Sequence, residues 1–317
     1  MVEGLLLSLA KSNPQVLILL CTYQGDRFLV EQLDSICQQD HQNILIWVSD
    51  DGSQDKTHQI LDRYQSQWGS DRFVIFSGPQ QGCVENFHSL LGKIDFPVDF
   101  IAYADQDDIW ETDKLTRAIA KLEGVADGVP ALYCSRTRLI NETNGELGFS
   151  PIFKKAPSFA NALVQNIGGG NTMVMNQPAQ ILLQHTSKST VVCHDWWAYI
   201  LISGSGGIVF YDSHPTVNYR QHDRNVIGSN CGWFARVRRL QGLIKFQLRN
   251  WVTVNTLALQ KFRHLLLPEN QRRLDDFCKS RDSWLLARLW WAVKAGIYRQ
   301  TLLGNAGLIF AVLLKRV

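Results

Sequence analysis

Hydrophobic positions along the first 125 residues alternate between two periods. Val16-Leu17-Ile18-Leu19-Leu20 is a continuous apolar run, the pattern of a strand buried on both faces of a parallel sheet. It ends in Cys21-Thr22-Tyr23-Gln24-Gly25, after which Phe28, Leu29, Leu33, Ile36 and Cys37 recur at helical spacing. A second run, Ile44-Leu45-Ile46-Trp47-Val48, opens into Ser49-Asp50-Asp51-Gly52-Ser53. There Gly52 permits a tight turn, and Ser53 is placed to cap a helix over roughly residues 54–65. A third strand is predicted over 72–76, leading through Gly78 to Gln81-Gly82-Cys83 and another helix. The fourth, over 98–103, runs into Ala104-Asp105-Gln106-Asp107-Asp108-Ile109-Trp110, with Thr112 as the candidate N-cap of a helix carrying Leu115, Ala118, Ile119 and Leu122. Strand and helix in alternation predict right-handed crossovers and a doubly wound α/β sheet.

Past residue 125 the alternation loosens. A strand is predicted over 130–134, an extended turn over 141–151, and a glycine-rich approach to a strand over Asn166-Ile167-Gly168-Gly169-Gly170-Asn171-Thr172. Three successive glycines either let a backbone pass close to a ligand or make a flexible surface loop; the spacing of a phosphate loop is absent. Val191-Val192-Cys193-His194-Asp195-Trp196-Trp197 enters an apolar helical stretch, and Val217 to Asp223 looks like a strand end carrying Arg220 and His222. From Trp233 onward the pattern is helical, with Pro268 a break.

Ligands in such sheets bind outside the carboxyl ends of the strands, which is where Thr22, Asp50, Asp51, Gly82 and Asp105 to Asp108 all fall. Three carboxylates within four residues are costly without a cation, and Mg²⁺ or Mn²⁺ suits them, completed by water and a substrate diphosphate. His194 and Asp195 beside two indoles read either as a base in a partly dry pocket with flat walls for a sugar ring, or as a helix cap with packed tryptophans. Arg220 and His222 suit a diphosphate or a metal.

Composition changes the picture at one end only. A chain of 317 residues with 45% hydrophobic and 19% charged residues is an ordinary globular protein. Its seven cysteines are scattered without a Cys-x-x-Cys pair, which argues against a disulfide framework or zinc site. Glu3 stands where a signal peptide would be basic, and the apolar run after it is short, so a cytoplasmic protein is expected. The net charge of +3 hides a division: residues 1–231 hold 16 Lys/Arg against 25 Asp/Glu, and residues 232–317 hold 16 against 4 with five of the ten tryptophans. A basic, tryptophan-rich end suggests an anionic surface, or helices whose charges are merely solvated.

In order and approximate spacing these segments resemble the family 2 glycosyltransferases of GT-A fold, most closely the bacterial rhamnosyltransferase-like branch. The resemblance rests on Thr22-Tyr23, Asp50-Asp51-Gly52-Ser53, Gly82 with Asn86-Phe87, Asp105-Gln106-Asp107-Asp108-Ile109-Trp110, the glycine segment with Thr172, His194-Asp195-Trp196-Trp197, and Tyr219-Arg220-Gln221-His222. It implies a Rossmann-like, mostly parallel sheet flanked by helices over 1–231 and a helical extension over 232–317. Thr22 and Asp50 or Asp51 would hold the nucleoside of a nucleotide-diphospho-sugar donor. Tyr23, Ser53, Gly82, Asn86, Asp105, Gly169, Thr172, Trp196 and Arg220 would be further substrate contacts. Asp105 and Asp107 would bind Mg²⁺ or Mn²⁺, with His222 as an added metal or phosphate ligand and Asp195 as general base. Many relatives have Glu-Asp where this chain has His194-Asp195, a departure that bears on the base. The Gln-x-x-Arg-Trp pattern of processive relatives is missing, since Arg236-Val237-Arg238-Arg239-Leu240 is not followed by Trp. What is implied is inverting transfer of a single sugar, rhamnose among the candidates, to a glycan or lipid-linked acceptor in cell-surface polysaccharide synthesis.

Two other classes use the same residues: a metal-dependent phosphohydrolase activating water, and a non-catalytic nucleotide-binding protein at a membrane. Nucleic-acid binding is not expected, because no recognition motif accompanies the basic end. On one helix starting near Arg281, residues Trp284, Trp291, Ala295, Tyr298 and Leu302 would share a face bordered by Arg281, Arg288 and Arg299. That predicts peripheral attachment to the anionic inner face of the cell membrane, the alternative being packing on the catalytic domain or in a homodimer. The closing run over 302–314 is shorter than the roughly 20 apolar residues needed to span a bilayer.

Overall fold

A computed structural model of the chain describes residues 13–223 and 247–317. The N-terminal run and the Arg236 to Leu240 segment lie outside those residues, as does the boundary expected at residue 231. The first half alternates as the periodicity predicts: β1 (Val16–Thr22), α1 (Leu29–Cys37), β2 (Ile44–Asp50), α2 (Thr57–Trp68), β3 (Phe73–Ser77), α3 (Cys83–Leu91) and β4 (Phe100–Ala104). Every residue of β1 is buried, because helices cover both sheet faces. Its odd-numbered side chains Leu17 and Leu19 join one core with α3, and its even-numbered Ile18 and Leu20 join a second core with α1 and α2. Each fully buried aliphatic side chain contributes about 1.5–3 kcal/mol, so β1 clamps the two layers together.

After β4 come β5 (Ile109–Trp110), α4 (Lys114–Leu122), β6 (Ala131–Ile140), β7 (Glu146–Phe149), α5 (Phe159–Ala162), a 3-10 turn at Gly170–Thr172, β8 (Val174–Asn176), α6 (Gln177–Gln184), α7 (His194–Gly204) and β9 (Ile208–Arg220). The nine strands form one sheet in the order β3-β2-β1-β4-β8-β6-β9-β5, with β7 paired to β6. From β3 to β4 the pairings are parallel; beyond β4 they are mixed, β8 running antiparallel to both β4 and β6 while β6 and β9 run parallel. The segment over 141–151, expected as a turn, contains the short hairpin strand β7. Asp113, not Thr112, stands at the start of α4.

Four helices close the chain: α8 (Gln247–Lys261), α9 (Pro268–Asp282), α10 (Leu285–Ala295) and α11 (Leu302–Leu313). Pro268 opens α9, where its missing N–H costs nothing. Val252, Leu259, Leu274, Phe277, Leu308 and Val312 from these helices join the core of α3 and α7. The single helix expected from Arg281 onward is instead broken twice. Ser283 and Trp284 are extended, and Gly296 adopts the left-handed conformation that ends α10.

Candidate active site

The C-terminal ends of β1, β2 and β4 lie side by side, and their loops are stitched together by side chains. Gln106 does most of this: its Oε1 accepts from Thr22 Oγ1 at 2.6 Å and Tyr23 N at 2.8 Å, and its Nε2 donates to Tyr23 O at 3.1 Å. Gly25 makes room for it, since a Cβ there would stand 2.5 Å from that oxygen. Asp50 accepts from the Ser53 N–H at 2.9 Å and hydroxyl at 2.5 Å and meets His58 Nε2 at 3.0 Å. Asp51 accepts from the N–H groups of Gln80 and Gly82 at 2.6 and 2.9 Å, fixing the turn that leads into α3. Ser53 does not cap α2, which starts at Thr57; its hydroxyl instead accepts from Gln24 N at 2.8 Å and ties the β1 loop to the β2 loop. Asn86, expected to touch substrate, is buried and bonds Ser49 through both ends of its amide, so it fastens α3 to β2.

The acid loop after β4 splits its carboxylates by depth. Asp108 is fully buried and accepts from Asn171 Nδ2 at 2.5 Å and Arg220 N at 3.1 Å. Asp107 Oδ2 lies 2.7 Å from His222 Nε2, whose ring stacks on Phe28. Burial first, then the Asp107 and Asp195 charges, push the Asp105 carboxyl up to about 7, with Lys114 pulling the other way. The Asp195 charge thus reaches the Asp105 carboxyl.

Arg220 is where expectation and structure part. It is buried outright: its guanidinium donates to Asp107 O at 2.9 Å and Asn144 Oδ1 at 2.6 Å, pairs with Glu31 at 3.0 Å, and lies 4.4 Å from the Phe28 ring centroid. It clamps the acid loop to α1 and to the β6–β7 turn, because five fixed donors in a planar fork can serve several acceptors at once. Lys114 is equally buried, 3.0 Å from the Trp110 ring centroid and with no hydrogen-bond partner among the described residues, and burial holds its ammonium well below the usual lysine range. Nothing in the residue pattern singles out Lys114 beyond its place at the start of α4.

The glycine segment joins the acid loop to α7, through Asn171 to Asp108 and through Gly170 to Asp195. Gly170 N donates to Asp195 Oδ2 at 3.1 Å and Trp196 N to Oδ1 at 2.6 Å, while burial raises the carboxyl to about 6. Asp195 sits in the first turn of α7 with Cys193 at the cap position. His194 points inward, stacked on Phe87 at 3.9 Å and driven down to about 3 by burial, so it is neutral. Gly169 is exposed, but Thr172 is buried with its hydroxyl donating to Gly169 O at 2.8 Å, which makes it a loop fastener. Trp196 is not an acceptor wall either: it and Trp197 are buried, and the Trp196 indole donates to Ala162 O at 2.7 Å. Cys83, unremarked in the sequence, is exposed at the start of α3, within reach of the Asp105 and Asp195 charges.

A divalent ion fits this site in part. Asp107 Oδ2 and His222 Nε2 are hydrogen-bonded at 2.7 Å and would become an oxygen and a nitrogen ligand on giving up the proton between them, and the like-charge pressure on Asp105 is what a cation relieves. Among the described residues no three of His, Cys, Asp and Glu converge as a metal site by themselves. Diphosphate oxygens and water would have to complete the shell.

Comparison with known proteins agrees with this layout. The family model for glycosyl transferase family 2 matches residues 17–174, which run from within β1 through the acid loop to the start of β8. The dTDP-rhamnosyl transferase RfbG of Shigella flexneri is 30% identical over 240 residues, 71% of this chain and 79% of that protein. An uncharacterised glycosyltransferase of Rickettsia typhi is 23% identical over 67% of this chain and 65% of its own length. Among solved structures, S. aureus TarS residues 1–349 in complex with UDP-GlcNAc superposes with a TM-score of 0.57 at 14% identity, covering 95% of this chain and 88% of that one. The mannosyltransferase PcManGT of Pyrobaculum calidifontis, in complex with GDP-Man and Mn²⁺, does so with a TM-score of 0.50 at 17% identity over 96% and 86%. These likenesses place the fold among GT-A glycosyltransferases, and with the extent of the match to RfbG the chain belongs to the family 2 glycosyl transferases.

Proposed function

We propose that this enzyme transfers a single rhamnose from dTDP-rhamnose to a hydroxyl of a glycan or lipid-linked acceptor, with inversion at the anomeric carbon. The observation that carries the reaction class is the acid loop, with Asp105 and with Asp107 against His222, lying within reach of the Asp195 charge. The identity to a dTDP-rhamnosyl transferase is what favours this donor. Thr22, Tyr23, Asp50, Asp51, Ser53 and Gly82 frame the nucleoside end, and Asp105, Asp107 and His222 face the diphosphate.

Mg²⁺ or Mn²⁺ held by Asp105, Asp107 and His222 would supply Lewis-acid stabilisation of the leaving diphosphate. Asp195 does the proton work. Its carboxylate takes the proton of the acceptor hydroxyl as that oxygen bonds to the anomeric carbon, and the bond to the diphosphate breaks on the far face with its electron pair leaving on the nucleotide. The N–H groups of Gly170 and Trp196 hold the carboxylate in place while they share its charge. Calorimetry on Asp105→Ala and Asp107→Ala tests the donor side. Both variants are expected to lose Mn²⁺-dependent binding of dTDP-rhamnose while remaining folded, and unchanged binding in both would remove the metal from the mechanism.

A further inference from the structure

Helices α10 and α11 leave an apolar face uncovered. Ten of the eighteen exposed large hydrophobic side chains of the described residues lie between Trp284 and Leu314. Leu302, Val293 and Leu303 are exposed by 88%, 79% and 78%, and Trp290 and Phe310 by more than half. From residue 283 to the end the chain has five Lys/Arg and no Asp or Glu. Arg288, which the sequence placed on the border of this face, is instead buried and donates to Ser283 O at 2.8 Å and Leu313 O at 2.9 Å, so it ties α10 to α11 from within. Lys279 and Lys294 lie over the Trp291 ring at 4.5 and 4.6 Å and both also meet Asp276 Oδ1, at 3.9 and 3.6 Å, while Lys315 is exposed. Neither helix crosses a membrane: no helix of the described residues is long and apolar enough.

We infer that the α10–α11 pair lies flat in the headgroup region of an anionic bilayer and turns the Asp195 side of the site toward it. An apolar face about two helices wide, on a segment that itself carries five cations and no acid, matches a surface that is apolar beneath and negative above. Orientation comes from the strap between the helices. Tyr298 O accepts from Asn161 Nδ2 and Gln300 N donates to Gln165 Oε1, both at 2.9 Å, and the Tyr298 hydroxyl meets Ser158 Oγ at 2.9 Å. The segment so pinned leads directly into Gly168 to Gly170, where Gly170 N holds Asp195. Membrane and base are thereby joined through one short stretch of chain, and the acceptor class this arrangement takes is a hydroxyl carried on a lipid. The lipid-borne acceptor rests on the transferase reading; the bilayer contact does not.

Full-length protein is sedimented with vesicles of phosphatidylcholine alone and of phosphatidylcholine with phosphatidylglycerol, without donor or metal. Binding is expected to the anionic vesicles only, weakened by salt. The triple variant Trp290→Ser, Leu302→Ser, Leu303→Ser, altered only at exposed positions, is expected to lose about tenfold or more of the partition coefficient. Its melting temperature and its donor binding should stay as in the parent, which separates this proposal from the fate of the transferase reading. Protein that stays in the supernatant with anionic vesicles at low salt overturns the proposal. So does a parent that is a dimer by light scattering while the triple variant is a monomer, because the face would then belong to a second copy.

Discussion

Burial raises the Asp195 carboxyl to about 6 against the pull of the Trp196 and Gly170 N–H groups. A base has to be ionised to take a proton, so kcat/KM should fall as pH drops through about 6 and level off above it. Asp195→Asn should lower the transfer rate about 10²- to 10⁴-fold and leave donor affinity within a few-fold. Initial rates across pH, with calorimetry for the donor, check both; wild-type turnover in the variant would move the base elsewhere. Arg220 calls for a different measurement. Arg220→Met strips donors from Asp107 O and Asn144 Oδ1 and takes the ion pair from Glu31, which keeps its bond from Asn144 Nδ2, so urea unfolding should report a loss of about 2 kcal/mol. An Arg220→Lys variant should recover little, because one ammonium cannot serve the same fan of acceptors. Sequence alone gave the presence of Arg220, Asn86, Thr172 and Trp196 at the site but not their depth. A cation at a strand end looks the same whether it meets a phosphate or the backbone of its own loop.

At the scale of elements, the strands of the first half were legible because burial on both faces leaves an unbroken apolar run, as in β1. The start of α2 was not. Ser53 has the chemistry of a cap, yet its hydroxyl is taken by Asp50 and Gln24 N, and α2 begins four residues later. The C-terminal helices misled for another reason. Helical period runs on across Ser283–Trp284 and Gly296, so a face drawn over one long helix mixed exposed Trp284 with buried Arg288 and Ala295. The contact between the glycine segment and α7 is a testable joint. A Cβ on Gly170 would stand 2.5 Å from His194 Nε2, and that ring cannot swing away because Phe87 stacks on it. Gly170→Ala should therefore cost about 1–3 kcal/mol and slow transfer by displacing the N–H that holds Asp195, with donor binding kept. Pairing it with His194→Ala should recover part of the loss, and a double-mutant cycle with no coupling would show that the two segments are not in register through this contact.

Over the whole molecule, the two cores meet along β1 and β4, and the acid loop continues directly from β4, so the loop's electrostatic cost is borne by the global fold. Asp105, Asp107 and Asp108 crowd one another, and Lys114 and Arg220 offset them from within the protein without hydrogen-bonding the Asp105 carboxylate in the bonds described. Removing one charge from such a cluster relieves repulsion, so the Asp105→Ala apoprotein should melt no lower than the parent. Donor and Mn²⁺ act on the parent in the opposite sense to that repulsion. At about 100 times its dissociation constant a ligand that binds only the folded state adds about 2.7 kcal/mol, which for a chain of this size is a rise of roughly 5 °C in Tm. The parent with Mn²⁺ and dTDP-rhamnose should show that rise, and Mn²⁺ alone should show little, because Asp107 and His222 supply only part of a coordination shell. Asp105→Ala should show none with both together. A shift of full size in the variant would mean that the nucleotide is held by Thr22, Asp50 and Asp51 without help from the acid loop, and the loop would then serve the fold and not the donor.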